Sequence, residues 1–120
     1  MNRAAHAAAA RGRRAESLAA WMLRLKGFSI LARRLRLPAG EIDIVARRGR
    51  LLIFVEVKAR ADVAAAAESL RRRQRARIAR AARAFMAARP AFADHAARFD
   101  AVLVGGLLPR HVPDAWRDDA

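Results

Sequence analysis

Cysteine is missing from this 120-residue chain, which excludes a disulfide framework and any thiolate-bound zinc. Long apolar runs are missing as well: nowhere do about 18 uninterrupted apolar residues mark a membrane span. The start, Met1-Asn2-Arg3-Ala4-Ala5-His6, reaches Arg11 before any Leu or Val, unlike the apolar segment of a secretory signal. The expectation is a soluble, cytoplasmic protein. Negative charge is scarce, with 11 acidic residues against 25 basic ones. Lysine is scarcer still, since every basic residue except Lys26 and Lys58 is arginine. The length suits one domain with one core and one site.

What is abundant is positive charge. A net +14 on so small a domain makes an anionic polymer the expected partner and nucleic acid the default ligand. The accompanying wealth of alanine is what GC-rich coding also produces, so part of the arginine excess is compositional background. Against that background each lysine carries more information.

Residues Ala4 to Lys26 favour a helix, with Leu18, Trp21, Met22 and Leu25 at spacings of three and four as its buried face. Gly27 is placed to end it as a left-handed cap. Phe28 to Leu37 reads as an edge strand closed by Pro38-Ala39-Gly40. Glu41 to Ala46 alternates, and Leu51 to Lys58 is nearly continuous, as in a strand covered on both faces; Arg48-Gly49-Arg50 is the turn between them. Ser69 is a candidate cap for a helix reaching Arg89, whose apolar side holds Ile78, Ala82, Phe85 and Met86 before Pro90. Arg98 to Val104 is a last strand. Residues 1–11 read as a flexible lead, 12–104 as the single domain, and 105–120 as a loop and frayed tail. The order helix, three strands, helix, strand predicts an α/β fold: a mixed sheet flanked by helices, the second helix crossing over to deliver the last strand. Trp21, Phe54, Phe85 and Phe99 read as core, which leaves no aromatic platform for stacking bases.

Up to residue 61 the only carboxylates are Glu16, Glu41, Asp43 and Glu56. Two of them lie on strands that otherwise look buried, where an unpaired charge needs compensation. With Gly49-Arg50 as the centre of the hairpin, positions whose numbers sum to 99 face one another. Asp43 then stands opposite Glu56, their β-carbons about 4.5–5.5 Å apart on one face. Like charges so placed repel, which argues for a shared cation. Lys58 points to the same face, and Ile42, Ile44, Val55 and Val57 face the other. Oxygen ligands without Cys or nearby His suit Mg²⁺ or Mn²⁺ rather than zinc. Such an ion activates water and offsets charge on a phosphodiester, with Lys58 positioning the water or stabilising the transition state. Glu16, on the first helix, is the candidate third carboxylate. Arg73, Arg77 and Arg80 share a helix flank suited to phosphate contacts.

Four motifs in order, Gly12-x-x-x-Glu16, Gly40-Glu41-Ile-Asp43-Ile-Val-Ala46, Phe54-Val-Glu56-Val-Lys58-Ala-Arg60 and Arg98-Phe-Asp100, resemble the YraN family. That is an uncharacterised bacterial family grouped with the PD-(D/E)xK, restriction-endonuclease-like superfamily and similar to Holliday-junction resolvases. The resemblance spans roughly Gly12 to Val104. It implies a restriction-endonuclease-like sheet and a Mg²⁺-dependent endonuclease acting on DNA, with branched or damaged DNA as candidate substrates. Asp43 and Glu56 would be the metal-binding acids, Lys58 the superfamily lysine, Glu16 the helix acid, and Gln74 a polar position near the substrate. Glu41-Ile42 stands where the name-giving proline would precede the aspartate. Resolvase-like enzymes often act as symmetric homodimers, though no dimer seam is visible in this sequence.

The plainer readings stand beside these. Glu56 and Lys58 can be a solvated ion pair at a strand end, and Glu16 an exposed partner of nearby arginines. Glu41 reads as an arginine partner, and Asp100 as an anchor for an arginine or a strand end. His6, His95 and His111 suggest no role. A rival for the whole chain is a non-catalytic nucleic-acid-binding or assembly protein that retains the nuclease fold; a third reading is an RNA-associated basic protein without metal.

Overall fold

Helix α1 (Arg3–Leu25) ends in a glycine-dependent reversal. Gly27 has φ +92°, its N–H returns to the Arg24 carbonyl at 3.0 Å, and the Phe28 N–H reaches the Leu23 carbonyl at 3.0 Å. This pair of bonds is a Schellman cap, with Leu23 and Phe28 packed in one cluster as its apolar clasp. The computed structural model describes residues 3–59 and 72–117, with side chains for 12–58 and 74–117. The segment read as a flexible lead is therefore helical from Arg3.

The face that α1 buries differs from the one expected. Ala15, Ala19, Ala20 and Leu23 lie against the sheet, whereas Leu18, Trp21 and Leu25 are 45%, 57% and 68% exposed, and Met22 is half-buried at the margin. Both sets recur at helical spacing, and side-chain size alone favoured the wrong one. The sheet beneath already presents Ile44, Ile53, Val55 and Val102, so close-packed contact is made by the face whose small alanines let the helix backbone approach. Trp21 is accordingly not a core residue.

The strands β1 (Ser29–Leu37), β2 (Gly40–Arg48) and β3 (Leu51–Ala59) form an antiparallel meander. Helix α2 (Arg72–Ala87) precedes β4 (Ala96–Val104), which runs parallel to β3, and β5 (Arg110–Trp116) returns antiparallel to β4. The five-stranded order is β1-β2-β3-β4-β5, so the mixed sheet and the helical crossover are as expected. Gly49, with φ +61°, supplies the conformation that the tight turn needs, and the pairs Arg48–Leu51 through Ile44–Val55 carry the expected register.

Helix α2 covers the opposite face from α1: Ile78, Ala81, Ala82 and Phe85 pack on Val45, Leu52 and Phe54. The ring of Phe54 meets Phe85 edge-on at 5.9 Å and Phe99 at 5.9 Å. Gly40 permits this approach, because a β-carbon there would lie 3.0 Å from the Arg77 carbonyl oxygen. Ser69 lies outside the described residues.

The second correction concerns residues 105–120, read as loop and tail. Arg110–Trp116 is a strand, and its end is fixed by packing: Trp116 is buried and stacks on Phe99 at 4.2 Å with an interplanar angle of 17°. Its inner side is fixed by a polar anchor. Asp100, fully buried, accepts two bonds at 2.8 Å from Arg98, one at 2.7 Å from His111 Nε2 and one at 2.9 Å from the Asp114 N–H. Lys26 Nζ lies 2.7 Å from His111 Nδ1, so the ring bridges the ammonium of Lys26 and the carboxylate of Asp100. The expected role of Asp100 as an anchor is thus seen, and His111 has a structural role that the sequence did not suggest. Among the described residues no helix is long and apolar enough to cross a membrane.

Candidate active site

The site lies where β2 and β3 stop pairing. The last paired residues are Ile44 and Val55, so the next positions in that register are Asp43 and Glu56. Asp43 does not continue the alternation of β2, however. Ile42 packs in the cluster beneath α2 together with Val45, whereas Ile44 packs beneath α1. Ile42 therefore does not share a face with Ile44 as expected, and the strand changes face at Asp43. The neighbouring strand does the same: Arg33 bonds to Ser17 of α1 while Leu35 packs under α2, and Arg34 between them has φ +49°. No Arg34–Asp43 pair occurs in the register. A left-handed arginine costs about 1–2 kcal/mol, and here it accompanies the kink that turns Asp43 out of the ladder.

Freed from alternation, Asp43 uses its side chain where a backbone carbonyl would normally serve: Oδ2 accepts the Val57 N–H at 2.8 Å. This bond ties the carboxylate to β3 beside Glu56. Lys58 Nζ lies 3.1 Å from Glu56 Oε1, with both side chains largely buried, and Gln74 Nε2 of α2 donates to the same oxygen at 3.4 Å. Glu16 reaches the site from α1. Arg34 Nε lies 3.2 Å from its Oε1 without hydrogen-bond geometry, so that this buried oxygen has no hydrogen-bond donor among the described residues.

The electrostatics follow from this crowding. Burial is the main cause that raises the Asp43 pKa; Glu41 adds to it, while the Val57 N–H and Lys58 oppose it. Burial and then the charge of Asp43 push Glu56 up to about 7, against the attraction of Lys58. The two carboxylates repel each other, so the pair holds a proton more tightly than isolated carboxylates would. Glu16 is also raised, by burial and then by Asp43, with Arg34 and Arg33 opposing. Glu41 is exposed and 3.8 Å from Arg36 Nε, the partner role expected for it.

The structure thus brings together Asp43, Glu56 and Lys58, with Gln74 beside them and Glu16 at electrostatic range. As they stand, each acid is engaged with a protein group, and among the described residues no three acids or histidines converge to hold an ion. The donor set nevertheless fits a hard cation: three carboxylates with raised proton affinity, one with an unsatisfied buried oxygen, and no sulfur or imidazole. Arg77 and Arg80 are exposed on α2. The side chain of Arg73 lies outside the described residues. Sequence reasoning missed Arg34, because nothing in a run of strand arginines marks one with positive φ. It also missed Arg75, which sits beside the site with its guanidinium 5.9 Å from the Trp116 ring centre.

Among the described residues, a five-stranded mixed sheet between two helices, with paired acids and a lysine where two strands part, defines a basic α/β domain with a cluster of ionisable side chains at the end of its sheet. Residues 15–104 match the family described as uncharacterised protein family UPF0102. The chain is 57% identical over 123 residues to a UPF0102 protein of Paramagnetospirillum magneticum, covering 98% of this chain and 95% of that one. It is 57% identical over 107 residues to one from Parvibaculum lavamentivorans (88% and 80% covered) and 50% identical over 117 residues to one from Maricaulis maris (97% and 92% covered). The chain belongs to this family, as the motifs led one to expect of an uncharacterised bacterial family.

Proposed function

We propose that the protein is a metal-dependent endonuclease of the PD-(D/E)xK type that binds DNA and hydrolyses its phosphodiesters, with branched or damaged DNA as candidate substrates. One observation carries the reading. Two carboxylates that repel each other, Asp43 and Glu56, are held with an ammonium group at the end of a sheet whose core does not need them. Asp43 and Glu56 would hold a Mg²⁺ or Mn²⁺ ion, with Glu16 as the third acid. When bound, such an ion supplies Lewis acidity and an acidified water. Lys58 then positions the attacking water or stabilises the charge growing on the phosphoryl oxygens. Gln74, tethered to Glu56, orients that carboxylate, and the exposed Arg77 and Arg80 contact the phosphate backbone.

Incubation with branched and linear DNA in Mg²⁺ tests this directly: cleavage should vanish in EDTA and in Glu56→Ala and Lys58→Ala. Cleavage that survives both substitutions would show another enzyme at work. Calorimetric titration with Mn²⁺ should give binding heats that Asp43→Ala abolishes, and equal heats would remove the metal site. The engagement of each acid with a protein group favours one rival, a nucleic-acid-binding protein that keeps the fold without the chemistry. DNA binding without cleavage of any substrate would decide for that rival.

A further inference from the structure

The outward turn of Trp21 reopens a possibility that its burial would have closed. Trp21 is more than half exposed, and Leu18 and Leu25, one helical turn to either side of it, are exposed as well. Single exposed apolar side chains are ordinary, but three on adjoining turns, one of them an indole, form a contiguous patch. Cations frame it. Arg13 and Ser17 precede Trp21 at steps of four and Arg24 follows at a step of three, so the four make one row along α1, and each of them is exposed. Arg14 stands one turn before Leu18, and Lys26 closes the C-terminal end. Glu16, the one acid in α1, is turned towards Arg34 and Asp43 and adds no negative charge to the row. The row also leads to the acids. Ser17 Oγ accepts a bond from Arg33 of β1 at 3.0 Å, and the next residue, Arg34, lies 3.2 Å from Glu16. Trp21 is thus one turn away from the arginines that border the candidate site.

We propose that this row is a track for single-stranded DNA, in which one unpaired base stacks on Trp21 while Arg13, Arg24 and Arg33 hold the adjoining phosphates. It rests on the nucleic-acid reading for its ligand and adds the form in which that ligand is held. The face of a base is open to an indole only where the strand is unpaired, and guanidinium groups beside the ring suit the phosphates of that strand. A strand so bound runs along α1 towards Arg34 and the acids. Two other occupants fit less well. A lipid surface calls for a broad apolar face, whereas Arg14 occupies the turn into which this apolar ribbon would have to continue. A second copy of the chain laid on the same face would set Arg13, Arg14 and Arg24 against their own counterparts.

The chain has two tryptophans, and Trp116 is buried against Phe99, so Trp21 is the indole that a ligand reaches. In EDTA, an oligothymidine of about 12 nucleotides should quench the emission of the wild type saturably, and Trp21→Leu should abolish the change. By anisotropy of the labelled oligonucleotide, Trp21→Leu should weaken binding about tenfold, whereas Trp21→Phe, which keeps an aromatic face, should stay within about threefold of the wild type. Neither substitution should alter affinity for a duplex closed by hairpins at both ends. Arg24→Gln should flatten the salt dependence for the single strand by a slope of about 0.7. Equal affinity of wild type and Trp21→Leu for the oligothymidine, or an equal loss on the closed duplex, would overturn the track. A blue shift on phosphatidylglycerol vesicles without quenching by oligothymidine would assign the face to a membrane, and a sedimenting dimer that Trp21→Leu dissolves would assign it to a second copy; either result overturns the proposal. Because binding is read without metal, quenching by the oligothymidine in a protein that cuts no DNA would remove the nuclease reading and keep the track. Cleavage with an oligothymidine affinity that Trp21→Leu leaves unchanged would remove the track alone.

Discussion

Replacing Glu56 by Gln should make the metal-free protein more stable, because the folded state forces this carboxylate to ionise against its surroundings. Its pKa rises from 4.5 to about 7, through burial and the neighbouring Asp43. The unfolded chain therefore releases this proton first. Stability associated with Glu56 is intact below pH 4.5, is lost as pH rises towards 7, and stays lost above it. At about 1.36 kcal/mol per pH unit, the ceiling on the cost at pH 8 is about 3 kcal/mol. Glutamine keeps the shape and one acceptor for Lys58 but removes the charge, so a gain of about 1–2 kcal/mol is expected, equivalent to roughly 4–10 °C in a domain of this size. Thermal melts followed by circular dichroism in EDTA should show that gain at pH 8 and almost none at pH 4. Saturating Mn²⁺ should then raise the melting temperature of the wild type more than that of Glu56→Gln, since a ligand that binds the native state stabilises it by mass action. A variant that melts at or below the wild type at pH 8, or that gains equally at both pH values, would refute the argument that the two acids are held in opposition.

Two further substitutions test the scaffold. For Asp100, burial alone would raise the pKa, but bonds from Arg98, His111 and the Asp114 N–H outweigh it and hold the group at about 2; this stability is present above pH 3.8 and lost as pH falls towards 2. Asp100→Asn should therefore cost about 2 kcal/mol or more at pH 7 in urea unfolding, with the gap from wild type closing below pH 3, and an unchanged gap at low pH would contradict the assignment. Leu23→Ala should cost about 2–5 kcal/mol and Leu25→Ala less than about 0.5 kcal/mol, the reverse of what hydrophobic periodicity by size suggests; equal losses would return Leu25 to the core.

Much of this organisation was legible because it rests on local rules. Gly27 and Gly49 each sit where φ must be positive, and the hairpin register follows from the second of them. The meander, the crossover and the placing of Glu56 and Lys58 on one face of β3 then follow from alternation and strand order, whereas Asp43 joins them through a kink that alternation does not foresee. What escaped depends on contacts distant in sequence. Strand β5 includes Pro113 and Asp114 with φ +51°, so its pattern reads as a loop; it is a strand because Trp116 finds Phe99 and His111 finds Asp100. The buried face of α1 escaped for a related reason, since two stripes with the same period compete and only the surface of β2 and β3 chooses between them.

The kink at Asp43 shows how a sheet tolerates such a site. A strand carboxylate that obeyed alternation would project into one of the two apolar clusters, where its charge would have to be neutralised or removed. By leaving the ladder opposite a left-handed Arg34, Asp43 accepts the Val57 N–H that the broken pairing would otherwise strand. One side-chain bond thus satisfies the sheet and aims the carboxylate at Glu56. The cost of like charges is confined to the last residues of two strands, while Val45, Phe54 and Ile44 behind them stay fully packed. Substitutions at the acids should therefore change ion affinity and pH dependence far more than they change the fold, which is the separation that any test of chemistry in this protein needs.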